Sequence, residues 1–215
     1  VYEIENGDLL TTLATTQYRA AGVSITGDKK HLVVTGGGSL SEMLVYSIES
    51  LTSTKTLKMP KPVVGLGFSG DQLLVIDEVG LSAYPQNPGA EPTWKLEQTG
   101  LTGSIQSALG GKVILTQTRD GWIVLDNAGK KSFDLPNTSQ AFLSQDGKFL
   151  LLRKGDEWNV VDVGTQKSIL TLAKVSQEVR GAGFESKSEK LWIASRWSGV
   201  QVYDLANKKS EPIST

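Results

Sequence analysis

The side chains of this sequence that could do chemistry are few and scattered. The densest group lies in "QAFLSQDGKFLLLRKGDEWNVVDVGTQKSILTL", residues 140–172, where Asp146, Asp156, Glu157 and Asp162 stand near Arg153 and Lys154. Carboxylates held close together could share acid and base roles. Asp126 and Asp204, however, occupy the same point of two other segments as Asp162, each closing a short apolar run. A catalytic pair has no reason to recur along a chain. A turn whose backbone amides need capping does, and the acids are read that way.

The other reactive types lead no further. His31 is the single histidine, and zinc takes three or four protein ligands. The absence of cysteine excludes disulfides, thiolate zinc sites, cysteine-ligated clusters and cysteine nucleophiles. No calcium loop of the form D-x-[DN]-x-[DN]-G occurs. The glycine-rich "TGGGSLSE", residues 35–42, runs into the strand-like "MLVYSI", and a phosphate cradle needs a helix there. No catalytic residue, no metal ligand and no cofactor is expected.

Recognition chemistry is the better prospect. Trp197 stands beside Arg196 in the turn "SRWSG", and Arg119 and Asp120 occupy the equivalent turn of "TRDGW" two repeats earlier. Turn-borne Trp and Arg are the types enriched at binding hot spots. A second set, in the links that lead into inner strands, contains Tyr18, Arg19, Lys61, Glu178 and Arg180, and is expected at the opposite rim. The expected binding residues are Arg196, Trp197, Arg119, Asp120, Arg180, Tyr18 and Arg19. Trp122, Trp158 and Trp192 are expected in the core, with Trp94 on an outer strand.

The elements that must position these residues repeat. Short apolar runs closed by a polar residue and a turn are "VYEIENG" (1–7), "VYSIES" (45–50), "SAYPQN" (82–87), "IVLDNAG" (123–129), "VVDVGT" (160–165) and "VYDLAN" (202–207). Their markers Glu3, Ser47, Pro85, Asp126, Asp162 and Asp204 are spaced by 44, 38, 41, 36 and 42 residues. A period near forty residues signals a repeat architecture. Between markers lie an outer strand, such as "KSILTL", and a hairpin of two apolar strands whose turn is mostly rich in Asp and Gly. The runs "HLVV", "QLLVI", "KVILT", "FLLLR" and "KLWIA" are nearly continuous in apolar residues, as strands covered on both faces can be. Four short strands per repeat with doubly covered middle strands describe the blade of a β-propeller. Binary patterning alone leaves a β-sandwich as the competitor; the regular period favours the propeller.

The endings "VYDLANKK", "VVDVGTQK" and "VYEIENGD", with "SQDGKFLLL", resemble the strand and turn of WD40 repeats, and related YVTN-like repeats share them. The likeness covers essentially the whole chain, with degenerate motifs. Tyr, Val or Leu replaces the family's Trp, and its Gly-His dipeptide is absent, so its buried hydrogen-bond tetrad is not expected. The resemblance implies an all-β propeller of four-stranded antiparallel blades, with residues 1–215 as a single domain. Five repeats flanked by isolated strands at Val1–Ile4 and Ser210–Thr215 would make it part of a six- or seven-bladed ring, whose open flanks would face water; a closed five-bladed ring with those two strands as overhangs is the alternative.

Composition bounds the partner. The chain has 215 residues, 39% hydrophobic content, and 22 basic against 23 acidic groups. A net charge of −1 supplies no global field for nucleic acid or an anionic membrane. No apolar run reaches the ~20 residues that span a bilayer. No signal peptide opens the chain, and Val1 already lies in a strand-like segment, so fused domains or further blades are expected outside it; a soluble, cytoplasmic setting is favoured. The function expected is a non-catalytic scaffold that binds a protein or peptide on the propeller's loop face. The alternative is a lactonase-like or sugar-binding propeller with its site in the channel mouth.

Overall fold

The computed structural model describes residues 20–26, 28–36, 41–85, 91–108, 111–172, 179–185, 189–196, 199–207 and 209–212. Among them, twenty strands form five four-stranded sheets. Sheet I holds β1 (Ala20–Ile25), β2 (His31–Gly36), β3 (Glu42–Ser47) and β4 (Ser53–Lys58). Sheet II holds β5 (Gly65–Ser69), β6 (Gln72–Ile76), β7 (Gly80–Pro85) and β8 (Trp94–Glu97). Sheet III holds β9 (Leu101–Ser107), β10 (Val113–Thr118), β11 (Gly121–Asp126) and β12 (Lys131–Pro136). Sheet IV holds β13 (Gln140–Leu143), β14 (Phe149–Lys154), β15 (Glu157–Asp162) and β16 (Lys167–Leu172). Sheet V holds β17 (Val179–Phe184), β18 (Lys190–Ser195), β19 (Gly199–Asp204) and β20 (Lys209–Pro212). In each sheet, strands that follow one another in sequence lie side by side.

The marker segments are the third strands of these sheets. Here the pairing corrects the sequence reading in one respect. That reading grouped each outer strand with the hairpin after it. The ladder instead joins β16 to β15 and β20 to β19. Lys209–Pro212 therefore completes sheet V and is not an isolated outer strand. The cause is the short turn after each marker, which makes a hairpin, and hairpin neighbours pair. Val1–Ile4 lies outside the described residues.

Two compact units divide the chain, residues 1–105 and 106–215. In the first, Val33, Met43 and Leu57 of sheet I meet Leu73 and Val75 of sheet II. The glycines of β5 let the next first strand come close. A Cβ on Gly65 would collide with the carbonyl of Gly103, and one on Gly67 would press on Ile105 at 3.0 Å. In the second unit, Leu115, Trp122 and Val124 of sheet III pack on Ala141, Leu150 and Leu152 of sheet IV. The other flank of sheet IV, with Leu151, Trp158 and Val160, packs on Leu191, Ile193 and Tyr203 of sheet V. Each such side chain, fully buried, contributes roughly 1.5–3 kcal/mol.

First strands are also tied by a polar clamp. The Gln106 side chain on β9 donates from Nε2 to the Ala141 carbonyl and accepts at Oε1 from the Leu143 amide, both at 2.8 Å. It satisfies two backbone groups of β13 at once.

The continuous runs "QLLVI" and "FLLLR" are buried on both faces of their sheets, as read. β18 is not: Leu191 and Ile193 are buried while Trp192 between them is 45% exposed. The expectation that Trp192 belongs to the core is thus corrected. Alternation along the strand turns it away from sheet IV. Trp122 and Trp158 are core residues, as expected.

Candidate functional site

An antiparallel meander of four strands sends two kinds of connection to the same end of a sheet: the turn between its second and third strands, and the link from its fourth strand to the next sheet. The sequence reading placed these at opposite rims, and the hydrogen bonds correct it. In sheet II, Lys61 in the incoming link pairs with Glu78 in the β6–β7 turn at 2.9 Å, and the outgoing Gln98 amide donates to the Val79 carbonyl at 3.1 Å. At the end of sheet III, the Asn137 amide donates to the Asp120 carbonyl at 2.8 Å. Two residues on, the Ser139 amide donates to the Arg153 carbonyl of sheet IV at 2.9 Å. The link 137–139 is therefore bonded to the turn ends of both sheets. Asn137 takes the left-handed φ of +56° that this tight passage needs, which Asn tolerates.

Among the described residues, these sheet ends present charge in sheets III, IV and V. Arg119 and Asp120 are exposed in the β10–β11 turn. The following Gly121 has φ +148°, and a Cβ there would strike the Leu135 carbonyl, so a side chain at this point would push the turn apart. In sheet IV, Arg153 donates from Nε to the Gly155 carbonyl at 3.1 Å, lies 5.8 Å over the Trp158 ring, and places its guanidinium 3.8 Å from Asp156. In sheet V, the pairing of Val179 with Ser195 brings Arg180 and Arg196 to the same end, both exposed. Of the seven expected binding residues, Arg119, Asp120, Arg180 and Arg196 thus occupy corresponding sheet ends of the second unit. Trp197, Tyr18 and Arg19 lie outside the described residues, as does Glu178. Asn137, Ser139 and Arg153 were missed. The Pro-Asn-Thr-Ser run offered a turn signal for the first two; Arg153 stood out only as a neighbour of the acids of residues 140–172 and not as a binding candidate.

The opposite ends are built from the recurrent acids, and their contacts are those of turn caps. Asp126 accepts from the Ala128 and Lys130 amides, each at 2.9 Å. Asp162 accepts from the Thr165 amide at 2.7 Å and its hydroxyl at 2.8 Å. Asp204 accepts from the Asn207 amide at 2.9 Å. Hydrogen bonds from these backbone amides, foremost, hold the Asp162 and Asp204 carboxyls below the ordinary carboxylate range. In the first hairpin of sheet IV, Asp146 takes the Ser144 hydroxyl at 2.8 Å and the Lys148 amide at 3.0 Å. The first hairpin of sheet I repeats this with Asp28, Thr26 and Lys30, and there the Thr26 hydroxyl is the main cause that lowers the Asp28 carboxyl.

A groove of 580 Å³ runs along β4 within the first unit, with Lys55, Lys58, Tyr84, Glu91 and Lys95 among its walls. Burial, foremost, and the Asp77 charge push the pKa of the Tyr84 hydroxyl above its ordinary value. Among the described residues no group of three or more His, Asp and Glu side chains could hold a metal ion, and no helix is long and apolar enough to cross a membrane.

No family model and no curated protein matches the sequence. Many solved structures resemble the fold. One is a crystal structure of the Cps50 (Swd1) β-propeller domain of Myceliophteria thermophila, with a TM-score of 0.67 at 11% identity over 98% of this chain and 77% of that one. The fold is a β-propeller, and its all-strand antiparallel blades fit a WD40-like repeat.

Proposed function

We propose that residues 1–215 act as a single propeller domain whose role is non-catalytic recognition of a protein or peptide partner. The contact surface is the turn end of the second unit: Arg119 and Asp120 of sheet III, and Arg180 and Arg196 of sheet V. The observation that supports it best is the link 137–139, whose Asn137 and Ser139 amides donate to the Asp120 and Arg153 carbonyls and so tie the turn end of sheet III to that of sheet IV. Arginine on a pre-organised surface forms directional contacts at low entropic cost. Trp197, adjacent in sequence to Arg196, belongs to the proposal as its aromatic anchor. Tyr18 and Arg19, which directly precede β1 in sequence, stay in it on sequence grounds. The propeller fold is typically a scaffold for such contacts, with function carried on connections of a rigid frame.

The test is affinity capture quantified across paired variants. Arg119→Ala/Asp120→Ala and Arg180→Ala/Arg196→Ala should each weaken partner recovery by about tenfold or more, the scale of a hot-spot loss. Lys130→Ala/Lys148→Ala, at the capped ends, should leave it unchanged. Undiminished recovery by both arginine variants, with unaltered melting curves, overturns the proposal.

A further inference from the structure

The outer strands of sheets I, III and IV share one register, so the seams they line can be compared residue by residue. Leu57, Leu135 and Leu172, each 6% exposed, pair with Met43, Trp122 and Trp158. Two places along each third strand, Val45, Val124 and Val160 pair with Lys55, Phe133 and Leu170. Phe133 packs in the cluster that joins sheet III to sheet IV, and Leu170 in the one that joins sheet IV to sheet V. Val161 and Tyr203 of the facing sheets pack in the same two clusters. They pair with Leu150 and Leu191 as Tyr84 pairs with Leu73, so Tyr84 holds their place in sheet II.

In the seam between sheets I and II, lysine thus stands where the other two seams have a large apolar side chain. There the 580 Å³ groove opens, with Lys55 and Tyr84 both among its walls. The seam lies inside the first unit. Leu57, Met59 and Pro92 supply apolar wall, while Lys55, Lys58 and Lys95 outnumber the one acid, Glu91. Ligand sites combine apolar walls with a few placed charges at volumes of about 300–1,000 Å³. In addition, β4 ends its sheet, and five of its six residues are exposed. The outer edge of such a strand offers backbone donors and acceptors to an added extended segment. A compact anion would use the lysines and leave the strand edge and the apolar wall idle.

We propose that the groove along β4 binds an extended peptide segment of a partner protein, in which acidic residues alternate with apolar ones. The site is separate from the turn end of the second unit and stands whether or not that surface binds a partner.

Fluorescence anisotropy of a labelled Glu-Leu-Glu-Leu-Glu-Leu peptide, titrated with the 215-residue chain, tests this without a captured partner. Saturable binding with a Kd of about 100 µM or tighter is expected, weakened by added salt. Lys55→Glu/Lys95→Glu should weaken it by about tenfold or more, because both side chains are exposed and charge is what they contribute. Lys55→Phe carries the residue that closes the seam of sheets III and IV. It should abolish binding without lowering the melting temperature. Arg180→Ala/Arg196→Ala should bind the peptide as wild type does, which separates this site from the turn end. No saturable binding, equal binding of a Lys-Leu repeat, or displacement by inorganic phosphate at matched ionic strength would each overturn the proposal. So would wild-type affinity in both groove variants, or an equal loss in the arginine variant.

Discussion

At the scale of single residues, the acids that looked most like chemistry turn out to organise turns. Asp28, Asp162 and Asp204 accept bonds that favour their charged forms, so their folded pKa values lie below the unfolded value near 3.8. A depressed pKa contributes stability that is complete above the unfolded value and is lost as pH falls through the folded one. The urea midpoint should therefore decline in acid below about pH 4, and Asp162→Asn/Asp204→Asn should flatten that decline. An identical acid limb in the variant would remove these carboxylates from the account. Gly121 makes a second case. Gly121→Ala must displace the Leu135 backbone, and it should cost about 1–3 kcal/mol and loosen the Arg119/Asp120 turn, read from the melting curve. The capping role was legible in the sequence because Asp recurs at one repeat position; Arg153 was not, since its partners Gly155, Asp156 and Trp158 meet it only through the fold of its own hairpin.

Between sheets, a polar tie runs from the first strand of sheet III to that of sheet IV. Removing the Gln106 amide leaves the Ala141 carbonyl and Leu143 amide without its bonds in a partly buried seam. Gln106→Leu, similar in volume, should lower unfolding free energy by about 1–3 kcal/mol, the cost of unpaired buried groups. Loss below about 0.5 kcal/mol in urea titrations would show that water replaces the clamp. Trp158→Ala, at 1% exposure between Phe142 and sheet V, should cost about 3–5 kcal/mol, whereas Trp192→Ala should cost far less. Strand positions were readable because hairpin chemistry is local. Two things were not readable. The grouping of fourth strands depends on which ladder forms across the marker turn, and the exposure of Trp192 depends on what lies beyond its sheet face. A run such as "KLWIAS" carries the same letters whether one face is covered or two.

At the scale of the molecule, the period near forty residues led to the propeller directly, because only a repeated unit that cannot bury its own faces needs such spacing. The turn-end surface proposed for recognition was half legible in its residue types. Residue types picked out Arg119, Asp120, Arg180 and Arg196, but strand direction, not composition, decides which connections share an end. That is why two sets expected at opposite rims belong together. Hydrogen–deuterium exchange of the chain, with and without its captured partner, tests the central claim most directly. The proposal predicts slowed exchange at residues 119–121, 137–139, 153–157, 179–181 and 195–196, with the aspartate-capped turns at 126–130, 162–166 and 204–207 unchanged. Protection confined to those capped turns would contradict it.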